Sequence, residues 1–174
     1  MIFLSDDYVA LRAVETSDLD IFYIWENDTE LWDCTPTIAP FSREVLRRYI
    51  ENYSADIYAD KQLRLMVVDK ATGATVGTVD LTDFDPVNRR AGIGVLIDKR
   101  YARRGLGFHA VSLAAEYARV RIGMHQLWAL IAADNEASLR LFAKAGFKRY
   151  GRLRSWIRRG RTYCDAYIMQ QLFE

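Results

Sequence analysis

The sequence is poor in the residues that build metal and disulfide sites. Its 174 residues include two cysteines, two histidines and three prolines. Cys34 and Cys164 lie far apart with no metal-ligand spacing around them, and His109 and His125 cannot form a zinc site by themselves. We therefore expect free thiols and no bound metal.

Long apolar stretches are also missing. No run approaches the roughly 20 residues that cross a bilayer, and no signal-peptide core follows Met1. We expect a cytoplasmic protein with neither membrane nor DNA as a partner. Half of the residues are apolar, so residues 1–174 are long enough to bury one core as a single domain.

The formal net charge of +1 conceals an uneven distribution. Residues 1–98 carry 18 acidic and 9 basic side chains, whereas residues 99–174 carry 5 acidic and 15 basic ones. Each half is expected to favour ligands of the opposite charge, although solvated surface charges would produce the same count.

The hydrophobic pattern predicts a mixed α/β layer structure without internal repeats. The predicted strands cover residues 9–14, 64–69, 75–82, 90–98, 126–132, 150–158 and 161–173, and the predicted helices cover 16–27, 42–53, 107–122 and 135–145. Gly146 stands where a left-handed residue ends a helix. The three middle strands form a meander, and the last two form a hairpin.

The stretch from Val95 to His109 reads as a strand, a basic loop and the start of a helix. Gly105 and Gly107 allow backbone N–H groups to turn toward a ligand, the helix N-terminus adds partial positive charge, and two arginines precede the first glycine. This combination predicts a diphosphate site, with an ordinary strand-to-helix turn as the alternative. It is neither a Walker loop nor a G-x-G-x-x-G dinucleotide loop.

A second informative stretch runs from Asp134 to Phe147. Asn135 and Ser138 place an amide and a hydroxyl on the first turn of a predicted helix whose other face is apolar. Taken alone, this segment indicates a capped amphipathic helix.

Together, in this order, the two segments resemble the GNAT superfamily of acyl-CoA-dependent N-acetyltransferases. The loop is similar to the family's pyrophosphate motif [Arg/Gln]-x-x-Gly-x-[Gly/Ala], and residues 135–147 are similar to its Asn-x-x-Ser pantetheine motif. Residues 11–19 and 89–97 extend the resemblance, and residues 151–169 are similar to ribosomal-protein and spermidine/diamine acetyltransferases.

The resemblance implies an α/β fold and a set of residues for acetyl-CoA. The fold has a central, mostly antiparallel twisted sheet with helices on both faces, and its fourth and fifth strands splay apart. The implied cofactor-binding residues are Val95, Leu96 and Ile97 beside the pantetheine, Ala102, Arg103, Arg104, Gly105, Leu106, Gly107 and Phe108 around the pyrophosphate, and Asn135, Ser138, Phe142 and Lys144 on the opposite side.

Three departures from the family pattern leave the acid and the base unassigned. Ala102 replaces the first Arg or Gln of the loop, Phe142 replaces a tyrosine that can protonate the leaving thiolate, and Gly92 replaces a glutamate base. Asp80 and Asp83, on the preceding strand, are the candidate catalytic bases, acting through water. Both positions also suit solvated carboxylates.

The acceptor region is expected to be acidic. Seven acids and no base lie between Val14 and Ser42, interleaved with tryptophans, and in this fold that region flanks the acceptor. The candidate substrate residues are Trp25, Glu26, Glu30 and Trp32. A solvated acidic helix face is the alternative.

The sequence therefore predicts an enzyme that moves acetyl from acetyl-CoA to a primary amine, by direct transfer in a ternary complex. A small polyamine-like cation is the first candidate acceptor, and a protein N-terminus is the second. A noncatalytic acyl-CoA-binding regulator and a basic RNA-associated module remain alternatives. Homo-oligomer formation stays open.

Overall fold

The computed structural model describes residues 4–32 and 37–174, so Asp33 and Cys34 lie outside the described residues. The strands are β1 (Val9–Arg12), β2 (Leu63–Asp69), β3 (Thr75–Asp85), β4 (Arg90–Ile97), β5 (Gln126–Ala132), β6 (Lys148–Arg159) and β7 (Thr162–Leu172). The helices are α1 (Leu19–Glu26), α2 (Thr29–Trp32), α3 (Arg43–Asn52), α4 (Ile57–Asp60), α5 (Leu106–Tyr117) and α6 (Glu136–Lys144). A π-helical turn, Ala118–Ile122, continues α5.

The strands form one seven-stranded sheet in the order β1-β2-β3-β4-β5-β7-β6. Every neighbouring pair is antiparallel except β4 and β5, which are parallel. The crossover between these two strands is α5, as parallel neighbours require a long connection.

Helices cover both faces of the sheet, as the resemblance implies. On one face the larger core packs α5 and α6 against the strands, with Val111 and Phe142 among its buried residues. On the other face a smaller cluster joins α1 and α3 to Met66 of β2. Every helix among residues 4–32 and 37–174 is too short or too polar to traverse a lipid bilayer.

Local sequence signals set the ends of several helices. The Ser42 hydroxyl accepts the Val45 N–H at 3.2 Å and starts α3, and the side-chain Oδ1 of Asn135 accepts the Ser138 N–H at 3.1 Å and starts α6. Gly146 has φ of +95°, so the predicted left-handed residue after α6 is confirmed.

The parallel strands part after a short contact. Arg90–Gly92 of β4 pairs with Gln126–Trp128 of β5, and within the described chain the ladder stops there. The remainder of β4 stays paired with β3 only, so its other edge faces a gap. This gap is the predicted splay between the fourth and fifth strands.

Differences from the predicted elements are small. The strand β1 ends at Arg12 rather than Val14, and α3 ends before Tyr53. The helices α2 and α4 were not predicted, because four residues are too few to show helical periodicity.

Candidate active site

A cavity of about 630 Å³ lies between the sheet and the α1–α2 segment. Its floor follows one cross-strand row in which Arg64 of β2 pairs with Asp80 of β3, and Asp80 pairs with Gly94 of β4. A Cβ atom built on Gly94 would meet no atom of the described residues within 4 Å, so the missing side chain leaves room above β4. The size suits a small-molecule site.

A tryptophan occupies the neighbouring row. Gly92 pairs with Trp128, and a Cβ on Gly92 would lie 2.7 Å from Thr82 Oγ1 and 3.1 Å from Trp128 Cζ2. Trp128 therefore fills the space in which a side chain at position 92 would stand. The family's glutamate base has no room there unless both the Thr82 hydroxyl and this indole move.

A half-buried cation lies at the floor of the cavity. Arg64 Nε donates to Asp80 Oδ1 at 2.7 Å, Nη2 donates to Asp80 Oδ2 at 3.3 Å, and Nη1 reaches Glu26 Oε1 at 3.3 Å. Its guanidinium carbon is 5.5 Å from the Phe22 ring centroid and 5.8 Å from that of Tyr49. Burial alone would lower the pKa of Arg64, but the Asp80 carboxylate outweighs it and raises that pKa, so Arg64 stays charged.

The wall of the cavity is tied to the end of β4. Trp25 is buried, and its indole N–H donates to Asp98 Oδ2 at 2.9 Å. The Arg100 guanidinium binds the same carboxylate at 2.7 Å. Its hydrogen bond, together with the bond from Trp25, holds the pKa of Asp98 well below its usual value despite burial. The aromatic wall and the strand that enters the basic loop are thus fixed to each other.

A narrower groove of about 170 Å³ lies between the parted strands. Val95 lines it from β4, while Ser138 and Phe142 of α6 and Asn135, which caps that helix, line it from the other side. Asn135 and Val95 also line the larger cavity, so the two spaces adjoin. Phe142 is buried and packs edge-on against Phe147, with ring centroids 5.1 Å apart.

The basic loop has the backbone of an anion site. Arg103 has φ of +62° and Gly105 has φ of +78°, and Gly105 immediately precedes the first turn of α5. Ala102, Arg103 and Arg104 are exposed. The first-turn N–H groups of a helix lack acceptors within the helix, so this turn can present amides beside two cations.

The two glycines of the loop differ in their roles. A Cβ on Gly105 would meet nothing within 4 Å, whereas a Cβ on Gly107 would lie 2.7 Å from Leu141 Cδ1. Gly105 is needed for its positive φ, and Gly107 for close packing of α5 on α6. Lys144 on α6 stands 4.3 Å from the Phe108 ring centroid, which brings a further cation to the loop.

The predicted acceptor and base residues separate into two groups. Trp25, Glu26, Trp32 and Asp80 line the large cavity, and the Trp32 indole N–H donates to the Glu26 main-chain carbonyl at 2.9 Å. Glu30 and Asp83 are exposed and lie outside that lining. Asp83 stands on a bulge of β3 with φ of +48°, where its carboxylate does not reach the cavity.

The acidic segment of the sequence is largely neutralised in the fold. Bases from other parts of the chain pair with five of its acids: Arg12 with Asp18, Arg43 with Asp20, Arg64 with Glu26, and Lys99 with both Asp28 and Glu30. A count along the sequence misses this pairing because the bases come from β1, α3, β2 and the turn after β4.

Sequence reasoning missed Arg64, Trp128 and Asp98. A charged residue within the apolar strand β2 was a usable signal for Arg64, since unpaired charges are rarely buried. The position of Trp128 opposite Gly92 depends on the β4–β5 register, which a single sequence does not reveal.

Comparisons with known proteins agree with this geometry. The family described as the acetyltransferase (GNAT) domain matches residues 9–148. The chain belongs to the GNAT acetyltransferases. Spermidine N(1)-acetyltransferase of Escherichia coli K12 is 26% identical over 148 residues, which cover 83% of this chain and 75% of that protein. The uncharacterized N-acetyltransferase YoaA of Bacillus subtilis is 28% identical over 166 residues, which cover 95% of this chain and 93% of that protein.

Solved structures share the fold of this GNAT chain. Spermidine N-acetyltransferase from Vibrio cholerae, in complex with CoA and spermine, superposes with a TM-score of 0.82 at 23% identity, covering 96% of each chain. A probable acetyltransferase superposes with a TM-score of 0.83, also at 23% identity. The predicted fold class and the prediction of an acetyl-CoA-dependent N-acetyltransferase are confirmed. The individual cofactor, acceptor and base residues stay predictions.

Proposed function

We propose that this N-acetyltransferase acetylates a primary amine of a small polyamine-like cation, by direct transfer while both substrates are bound. The observation that carries the proposal is the cavity that adjoins the open edge of β4 and contains the Glu26 carboxylate and three tryptophans. Carboxylates and aromatic faces both attract alkylammonium groups. The spermidine acetyltransferases of E. coli and V. cholerae among its relatives support the same acceptor class.

Acetyl-CoA supplies the acetyl group as a thioester, and the residues of this chain orient it. In the proposed arrangement residues 102–108 and Lys144 hold the pyrophosphate, and Val95, Leu96 and Ile97 offer backbone groups to the pantetheine. A backbone N–H near Val95 then stabilises the negative charge that develops on the carbonyl oxygen.

The transfer itself requires little assistance from acid or base side chains. The neutral amine nitrogen forms a bond to the carbonyl carbon, the C–S bond breaks, the nitrogen loses a proton and the sulfur gains one. A thiol has a pKa near 8.5, so water can supply the second proton where Phe142 cannot. Asp80 is held by Arg64, so we propose that Glu26 binds an ammonium group of the acceptor and that water accepts the proton from the nitrogen.

A peptide N-terminus is the second candidate acceptor. The pairing of Lys99 with both Asp28 and Glu30 favours it, because a neutralised rim gives a highly charged polyamine fewer partners than the sequence suggested. An aromatic cavity accepts an amine with an apolar body equally well.

A panel of acceptors tests both candidates. The purified chain is incubated with acetyl-CoA and either spermidine, a diamine, a monoamine or a short peptide with a free N-terminus, and thiol release and product mass are measured. We expect turnover with the diamine and spermidine. Turnover with the peptide alone would favour the second candidate, and no turnover with any amine would show that the proposed acceptor class is wrong.

A further inference from the structure

The charge of the acceptor cavity depends on one half-buried arginine, Arg64. The charged residues that line it, within the described part of the chain, are Glu26, Arg64 and Asp80. Their side chains are 27%, 18% and 18% exposed. Since these groups are shielded from solvent, their charges act on a bound ligand with little screening. Together they leave one net negative charge.

Arg64 is held unequally by its two carboxylates. Asp80 receives two hydrogen bonds in a bidentate arrangement, whereas Glu26 receives a single contact of 3.3 Å. Bidentate arginine–carboxylate pairs are the stronger kind. Asp80 is therefore neutralised in place, and Glu26 keeps lone pairs free to accept hydrogen bonds from a ligand.

We propose that Arg64 is a positioning residue that sets acceptor specificity: by neutralising Asp80 it limits the cavity to one ammonium group, held by Glu26, beside the reacting amine. The inference rests on the proposed function, and it defines the acceptor class more narrowly. The reacting nitrogen must be neutral to attack, so a monoamine brings no charge into the cavity, while a diamine brings one. Cavity charge then acts on the diamine selectively.

A series of variants changes the cavity charge one unit at a time. Arg64→Met gives −2, Asp80→Asn gives 0, and the double variant Arg64→Met/Asp80→Asn restores −1. The readout is the ratio of kcat/KM for a diamine to kcat/KM for a monoamine of the same chain length. The change is expected in KM rather than kcat. Arg47→Met on the exposed face of α3 is the matched control for loss of an arginine.

We expect the ratio to rise about tenfold in Arg64→Met, to fall about tenfold in Asp80→Asn, and to return to the wild-type value in the double variant, since one tenfold step corresponds to about 1.4 kcal/mol. A merely structural role for Arg64 would lower kcat/KM for both amines equally. A ratio that stays constant across the series would overturn the inference.

Two further outcomes keep the test decisive. If Arg64→Met does not fold, Asp80→Asn can be compared with the double variant, which differs from it by the same change of Arg64 to Met. The ratio of kcat/KM for the diamine to that for the monoamine must then be about tenfold higher in the double variant. If the wild-type chain acetylates no amine, the proposed function itself fails. Wild-type turnover with a flat ratio counts against the role of Arg64 alone.

Discussion

Single residues connect the two halves of the active site, and Asp98 is the clearest case. Its carboxylate joins the Trp25 indole of α1 to Arg100 in the turn that follows β4. Arg100 is largely exposed, but Asp98 is buried, so loss of this negative charge weakens the acceptor that the indole N–H and the guanidinium share.

The low pKa of Asp98 predicts a pH dependence of stability. A carboxylate whose pKa is lower in the folded than in the unfolded chain stabilises the fold above pH of about 4, and this contribution is lost as the pH falls further. Asp98→Asn should therefore reduce the free energy of unfolding by about 1–3 kcal/mol at pH 7. Toward pH 3 the difference should shrink. Urea unfolding at both pH values measures it.

Glu116→Gln is the control for this pH effect. Glu116 also pairs with an arginine, Arg119, but both side chains are more than 40% exposed. Exposed pairs contribute little. An equal pH-dependent loss in both variants would contradict a special role for the buried Asp98.

A second residue-scale prediction concerns the open space above Gly94. Gly94→Leu should place a side chain in the acceptor cavity, because no atom of the described residues lies within 4 Å of the added Cβ. Misplacing the acceptor amine should lower its turnover by about 100-fold. CoA binding should persist, as measured by calorimetry. Gly151→Leu on β6, which is also unobstructed, should leave turnover intact.

At the scale of elements, the junction between β4 and α5 is the predicted anion site. The junction depends on Gly105, whose φ of +78° allows the chain to reverse just before the first turn of α5. Gly73, in the turn between β2 and β3, has a similar φ of +72° and is equally unobstructed.

Because Gly105 and Gly73 have similar backbone angles, their alanine variants form a matched pair. Gly105→Ala and Gly73→Ala should each cost about 1 kcal/mol of stability in urea unfolding, because alanine is strained at positive φ. Only Gly105→Ala should also raise the Kd for CoA, through displaced amides at the start of α5. Equal CoA affinities in the two variants would show that this loop is not the pyrophosphate site.

The helices and strands also show how much of the fold could be predicted from the sequence. The alternation of apolar and polar residues, together with the turn residues between the segments, was sufficient to predict β2 to β5. Ser42 and Asn135 were sufficient to predict where α3 and α6 start. The contacts inside the site were harder to predict from the sequence. The partners of Arg64 come from α1 and β3, and that proximity arises only when the sheet assembles.

At the scale of the whole molecule, part of the uneven charge of the sequence is paired within the fold. Asp18 and Glu26 of the first half pair with Arg12 and Arg64, whereas Arg103 and Arg104 of the second half are exposed beside Gly105. The single-domain assignment, the cytoplasmic location and the oligomeric state stay predictions.

Exposed cations predict a salt-dependent cofactor affinity. Raising NaCl from about 0.05 M to about 0.5 M should raise the Kd for CoA by about tenfold, because screening weakens attraction between exposed charges. The affinity for pantetheine, which has no phosphate, should stay nearly constant. Calorimetry at both salt concentrations gives the comparison. A Kd for CoA that is independent of salt would place the phosphates away from these arginines.

The short ladder between β4 and β5 has a consequence for how the folded state is maintained. Among the residues that the structure describes, three register positions, Arg90–Gly92 against Gln126–Trp128, join the two portions of the sheet directly. A ligand that lies in the gap and bonds to the free edge of β4 replaces the missing ladder. Its binding energy then adds to folding by mass action. In the proposed arrangement, in which the pantetheine bonds to this edge, the resting enzyme is an incomplete sheet that each catalytic cycle would complete and open again.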